Sequence, residues 1–288
     1  MFTQQQPLFI YTISPLHMGA GSATGLVDNP IQREIHTGWP SMAGSGIKGA
    51  IRHALRPEWT DELNAIFGPE TALHAGAISF MDAQIVCFPV RSLKGAYVYA
   101  TCPMALSRIH RFIKSDWQVP PVKEQEALIA NEELKQGDDL ILEALAFRAK
   151  RDDVVFKIAT SLADQAIPSG FFSEKFKKDL VILSDTDFTH FVKNSTLVEP
   201  HVRIDDETGA ADSEGGGLFY TENLPPESLL ITLAMASKTH DSKSSMTASE
   251  VLKKVSEAIN KDQTWQFGGD ATTGRGLVML RFSQNGGK

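Results

Sequence analysis

Residues 267–282 read FGGDATTGRGLVMLRF. Phe267 and Gly268 are followed by five residues, then by Gly274, Arg275, Gly276 and Leu277, a hydrophobic-Gly-x5-Gly-x-Gly-hydrophobic pattern. The apolar spacing of Val251, Leu252, Val255, Ala258 and Ile259 predicts a helix just before this loop. Leu277 to Phe282 predicts a strand just after it. The loop therefore joins helix to strand, and the two glycines leave the backbone around Arg275 uncovered.

The other end of the chain has the same kind of order. A strand is predicted over 8–13, followed by a long glycine- and proline-rich stretch, 14–46, of a length that usually carries function. Ile47, Ala50, Ile51, Ala54 and Leu55 then predict a helix that stops before Pro57, with Ser45 as its N-cap. Between the two ends, strands are predicted over 77–90, 97–101, 141–147, 154–159 and 229–236. A helix is predicted to carry Ala105, Leu106, Ile109, Phe112 and Ile113. The polar run DDETGAADSEGGG, 205–217, separates strand-like 200–204 from 218–221 and predicts a protruding hairpin. Strand–helix–strand at both ends predicts an α+β fold: a ferredoxin-like (RRM-type) core with large insertions, in one domain over 1–288.

Gly44-Ser45-Gly46-Ile47-Lys48-Gly49 is a literal G-x-G-x-x-G, but its context is wrong for a dinucleotide site. The preceding HTGWPSMA contains a proline and is poor strand material, and no acid ends a second strand about 20 residues on. What survives is a glycine-led helix start whose free amides and dipole favour an anion. Lys48 in the first turn is unfavourable for an isolated helix and would be compensated by that anion. An ordinary capped helix with a solvated lysine reads the same stretch without any ligand.

The 288 residues carry 28 Lys and Arg against 35 Asp and Glu, a net charge of −7. The distribution is uneven. Residues 83–115 contain no acid but hold Arg91, Lys94, Arg108, Arg111 and Lys114, while 199–227 hold eight carboxylates against Arg203 alone. A basic groove on an acidic protein is compatible with this pattern, as are simple solvated faces. Tyr97 and Tyr99 fall on one strand face and could stack on bases or pack in the core. The two cysteines, Cys87 and Cys102, make no C-x-x-C pair, so a reducing compartment is expected and a zinc site is excluded. MFTQQQPLFIYTIS has neither a basic run nor a long apolar stretch, which predicts a first strand rather than a signal peptide, and a cytoplasmic protein with no membrane partner.

The 267–282 loop, with its preceding helix and following strand, resembles the glycine-rich loop of the RAMP superfamily of CRISPR RNA-binding proteins. The N-terminal half, with His17-x-Gly19-x-Gly21, the VDNPIQRE block and the GSGIKG helix start, is similar to the repeating backbone subunits of type III-B (Cmr) CRISPR effectors. This resemblance implies a subunit that polymerises with copies of itself along a guide RNA, beside other Cmr-type subunits. It further implies a thumb hairpin, here about 200–222, and a loop, here 14–46, whose aspartate cuts paired target RNA beside each thumb.

On that resemblance Asp28 maps onto the catalytic aspartate, being the only acid in 14–32. His17 would shuttle a proton or merely satisfy a loop carbonyl. Glu222 would support the chemistry or serve the structure. Ser45, Gly46, Lys48 and Arg52, with Gly274, Arg275 and Gly276, would hold guide phosphates without reading bases. Mg2+ or another divalent cation is the expected cofactor, held by Asp28 through water. A silent guide-binding module, a guide-precursor nuclease acting through histidine, and a nucleotide-binding metabolic enzyme remain as alternatives.

Overall fold

The computed structural model describes residues 2–283 apart from 72, 203, 206–207, 212–216, 242–243 and 262. In chain order, β1 (Gln4–Thr12) leads through the 14–46 segment to β2 (Ser41–Met42), α1 (Gly44–Leu55) and α2 (Asp61–Phe67). β3 (Ile78–Phe80), β4 (Ala83–Arg91), β5 (Tyr97–Thr101) and α3 (Pro103–Ile109) follow. Then come β6 (Glu126–Ile129), β7 (Lys135–Gln136), β8 (Asp139–Leu142), β9 (Leu145–Arg151), α4 (Asp153–Ala166) and α5 (Phe171–Asp179). β10 (Leu180–Leu183), α6 (Asp185–Asn194), β11 (Leu197–His201), β12 (Phe219–Asn223) and β13 (Leu229–Ala236) precede α7 (Ala248–Ile259), β14 (Thr264–Gln266) and β15 (Leu277–Phe282).

The class is mixed α+β. The main sheet runs β14-β15-β1-β13-β4-β5-β10-β6-β9-β8-β7. Its central part, β15-β1-β13-β4, is antiparallel throughout, with α1 between β1 and β3/β4 and α7 between β13 and β15 in chain order. One sheet face packs Leu8, Ile10 and Leu280 against Ile47 and Ile51 of α1 and Val251 and Val255 of α7. The other face packs Phe9, Tyr11 and Tyr99 against Val155, Ile158, Leu162 and Phe176 of α4 and α5. β1 is buried on both faces, so its apolar residues run continuously rather than alternating. Among the described residues no helix is long and apolar enough to cross a membrane.

Four sequence expectations change. Residues 154–159 form the first turns of α4, not a strand: Val155, Ile158, Ala159, Leu162, Ala163 and Ala166 all bury at helical spacing, and Asp152 caps the Val154 amide. The β-branched start had masked a period that shows only over the longer window. The predicted strand over 77–90 is broken at Met81-Asp82 because Asp82 leaves the ladder to accept from the Gly44 amide at 2.8 Å. Ser45 therefore is not the cap of α1: Ala43 occupies that position without a side-chain bond. Finally, 141–147 straddles the turn of the β8–β9 hairpin.

β11 and β12 pair antiparallel, from Leu197 with Asn223 to His201 with Phe219, and form the base of the predicted hairpin. Of its predicted tip, 206–207 and 212–216 lie outside the described residues.

Candidate nucleic-acid interface

The alternating backbone of β12 gives residues 219, 221 and 223 to β11 and turns 220, 222 and 224 outward. The long N-terminal segment fills that outward edge. The Asn29 amide donates to the Tyr220 carbonyl at 3.0 Å, and the Glu222 amide donates to the Asn29 carbonyl at 3.0 Å. Leu16 and Leu224 exchange both backbone bonds at 2.9 Å. The segment can act as a strand because it first folds on itself: Gln32 donates to Met18 at 2.7 Å, and Ala20 to Pro30 at 2.9 Å. What reads as a loop is a ladder.

Asp28 enters this ladder through its side chain. The Tyr220 amide donates to Asp28 Oδ2 at 2.7 Å, and the carboxylate is half-buried at the root of the hairpin. Two residues further along β12, His17 Nδ1 lies 2.7 Å from the Glu222 carbonyl oxygen. A carbonyl only accepts, so Nδ1 carries the proton and neutral His17 keeps its lone pair on Nε2. The two groups hang from the same strand edge, two residues apart.

Glu222 is bound into the fold through both carboxylate oxygens. Its carboxylate is buried, lies 2.5 Å from Arg33 Nη2, and accepts from the Ile31 amide at 3.0 Å and from Thr196 Oγ1 at 2.7 Å. Arg33 also donates to the carbonyls of Gly38 and Val192 at 2.7 and 2.9 Å. Every oxygen of Glu222 is engaged, so its place in the site is that of a brace between the 28–33 segment and β12.

The glycine-rich loop closes the other side of His17. The Gly269 amide donates to the His17 carbonyl at 3.0 Å, and that of Gly276 to the Pro15 carbonyl at 2.7 Å. Two positions of this loop, Gly268 and Gly276, demand glycine. Gly268 has φ +72°, and a Cβ there would meet the His17 carbonyl oxygen at 2.2 Å. Gly276 has φ +79°, and its Cβ would meet the Phe267 oxygen at 1.9 Å. A small cavity of about 110 Å3 lies where His17, Gly19, Gln32, Gly46 and Gly268 converge. Gln32 spans it: Nε2 donates to the Gly19 carbonyl at 3.0 Å and Oε1 accepts from the Ala43 amide at 2.8 Å.

The two glycine loops and His17 thus meet in space, as do Asp28 and Glu222 along β12. Ser45 and Gly46 sit exposed in the first turn of α1. Lys48 is half-buried beside them, and burial, then the charge of Arg52, push its pKa down. Arg52 turns away to Asn64 and Glu70. Arg275, between Gly274 and Gly276, is held by Glu199 of β11, with Nη2 2.8 and 2.7 Å from its two oxygens.

The basic segment resolves differently from expectation. Arg108 is buried in a two-pronged pair with Glu34, at 2.8 and 3.0 Å, with its guanidinium 4.8 Å over Trp39, and is a core element rather than part of a groove. Tyr99 is buried too, bonded to Tyr11 and Tyr97 at 3.0 Å and packed on Phe176, so Tyr97 and Tyr99 make no open stacking platform. Sequence reasoning missed Gln32, Arg33, Asp82, Glu199 and the Tyr220 amide, and all but Gln32 act across a long sequence separation. Only the position of Gln32 and Arg33 inside VDNPIQRE carried a hint.

The profile of the RAMP superfamily matches residues 9–279. The chain is 35% identical over 292 residues to the CRISPR system Cmr endoribonuclease Cmr4 of Pyrococcus furiosus, covering 96% of each. The crystal structure of oligomeric Cmr4 from Pyrococcus furiosus superposes with a TM-score of 0.76 at 30% identity, covering 98% of each chain. A chain of the type III-B Cmr-beta complex bound to cognate target RNA shares the fold at a TM-score of 0.75 and 21% identity, covering 98% of each.

Proposed function

Since this chain belongs to the RAMP superfamily and is similar over its length to Cmr4, we propose that it is a guide-RNA-binding backbone subunit of a type III-B CRISPR effector and cuts complementary target RNA. It works as one of several copies along the guide, beside other Cmr-type subunits. The similarity to an oligomeric Cmr4 supports that arrangement. The observation that carries the cutting role is the Tyr220 amide on Asp28, which fixes one carboxylate at the root of the hairpin.

RNA supplies its own nucleophile, the 2′-hydroxyl. His17 Nε2 takes the proton from that hydroxyl as its oxygen bonds to phosphorus and the P–O5′ bond breaks, leaving a 2′,3′-cyclic phosphate and a 5′-oxygen that takes its proton from water. Nδ1–H meanwhile stays on the Glu222 carbonyl and fixes the ring. Asp28 keeps one oxygen on Tyr220 and turns the other toward the phosphate. A divalent cation such as Mg2+ fits here only as a hydrated ion. Among the described residues no group of three or more His, Cys, Asp or Glu is placed to hold a metal, and Asp28 is the one acid of 14–32. Asp28 would hold such an ion through water, and the ion would supply charge neutralisation.

The order β15-β1-β13-β4, with α1 and α7 as connections, supports a ferredoxin-like core, and the continuity of the main sheet from β14 to β7 supports one domain. Cytoplasmic location belongs to the same reading, in keeping with the two unpaired cysteines. The test is to load the chain and its partner subunits with a guide and add end-labelled RNA. Complementary RNA is expected to give regularly spaced products, one per copy. Equal cutting of unrelated RNA, or none of the complementary strand, contradicts the proposal.

A further inference from the structure

We propose that Glu70 is an internal stand-in for an RNA phosphate, occupying a strand-binding cleft at the C-terminal end of α1. The inference rests on the RNA-binding reading above and extends it to a second stretch of the strand. Lys48, Arg52 and Arg56 recur every four residues and follow one face of α1, one cation per about 6 Å of helix axis. That spacing is comparable to the distance between successive phosphates of a single strand. At Lys48 no acid contributes to the lowered pKa, only burial and the repulsion of Arg52. Like charges this close together attract an anion to the Lys48 end of the row.

At the far end of the row a carboxylate is present. Arg52 Nη1 lies 3.3 Å from Glu70 Oε1, and Arg56 Nη1 lies 3.9 Å from the same oxygen. Arg52 Nη2 donates to Asn64 Oδ1 at 3.2 Å, which fixes the guanidinium plane. One anionic oxygen therefore bridges two guanidinium groups, which is the arrangement a phosphate oxygen takes. Yet the Glu70 side chain is 67% exposed, and exposed pairs of this kind hold weakly. Around it opens a cleft of about 420 Å3, walled by Trp59 and Leu63. Lys254 lies 5.5 Å over the Trp59 ring, with its ammonium paired to Glu62.

An RNA strand running along α1 from its first turn reaches Arg52 and Arg56 in register, and its phosphate displaces the Glu70 carboxylate into solvent. An acidic protein segment would also satisfy two arginines. The regular spacing from Lys48 to Arg56 favours a strand with evenly spaced anions.

The experiment measures binding of a labelled single-stranded uridine RNA to the purified chain by fluorescence anisotropy at several salt concentrations. Glu70→Gln is expected to tighten binding about threefold and to steepen the dependence on salt by about one ion. Arg56→Ala, at an exposed position, is expected to melt as the wild type and to make the salt dependence shallower by about 0.7. Glu70→Gln binding no tighter than wild type, with both salt slopes unchanged, overturns the inference. So do variants that leave RNA binding alone but alter sedimentation of the chain with its own copies, which would assign the cleft to a protein partner. A wild-type chain that binds no RNA contradicts the proposed function itself, and this inference falls with it.

Discussion

The Tyr220 amide donates to Asp28 Oδ2 at 2.7 Å, so the candidate catalytic carboxylate is attached to the strand that rises into the hairpin. Loop and hairpin are one mechanical unit, and the Arg33–Glu222 pair is its brace. Glu222→Ala leaves Arg33, the Ile31 amide and Thr196 without their acceptor in a mostly buried place. The expected cost is about 3 kcal/mol, with weakened cleavage. Thermal melting and cleavage rates of the same preparation check this, and an unchanged melting temperature would contradict the brace.

His17 separates structure from chemistry because, among the described residues, its ring is held through Nδ1 alone. His17→Asn keeps a donor for the Glu222 carbonyl but has no group to take a proton. Folding and guide binding are expected to persist while cleavage falls about 100-fold or more. Wild-type rates in that variant would reduce His17 to a loop anchor.

The glycines of the 267–276 loop are expected to differ sharply. Gly268→Ala places a Cβ against the His17 carbonyl oxygen in addition to its positive φ, and is expected to cost at least about 3 kcal/mol. Gly274→Ala shares a positive φ of +79° but meets nothing within 4 Å, and about 1 kcal/mol is expected. Melting curves that rank the two the other way would refute the close approach between this loop and the His17 backbone.

Glu227 supplies a pH dependence. It sits in the turn before β13 at φ +69°, accepts from Tyr99 at 3.2 Å, and burial raises its pKa from 4.5 to about 7. Because the folded pKa lies above the unfolded one, the native state binds more protons between these values. Its contribution is fully present below pH 4.5 and is lost as pH rises through about 7. Chemical denaturation across that window should show a downward slope with pH that Glu227→Gln flattens.

Local patterns were legible in the sequence. The strands 97–101, 229–236 and 277–282 and the helices around Ile51 and Val255 each combine a clear period with nearby stop signals. The first turns of α4 were not, because Val154 and Val155 suit a strand until Leu162 and Ala166 are counted in. The site was legible as residues but not as geometry. Asp28 and His17 were identifiable by type and resemblance, whereas their attachment to β12 spans about 200 positions of chain. Charge pattern misled at Arg108, since nothing local announces Glu34 and Trp39 as its partners.

The most direct test of the account is target-RNA cleavage by the reconstituted guide-loaded complex with Asp28→Ala in place of the wild-type chain, with target binding measured in parallel. The account predicts intact binding and cleavage lost at every site. Undiminished cleavage with normal binding would contradict it, and would place the nuclease in another subunit.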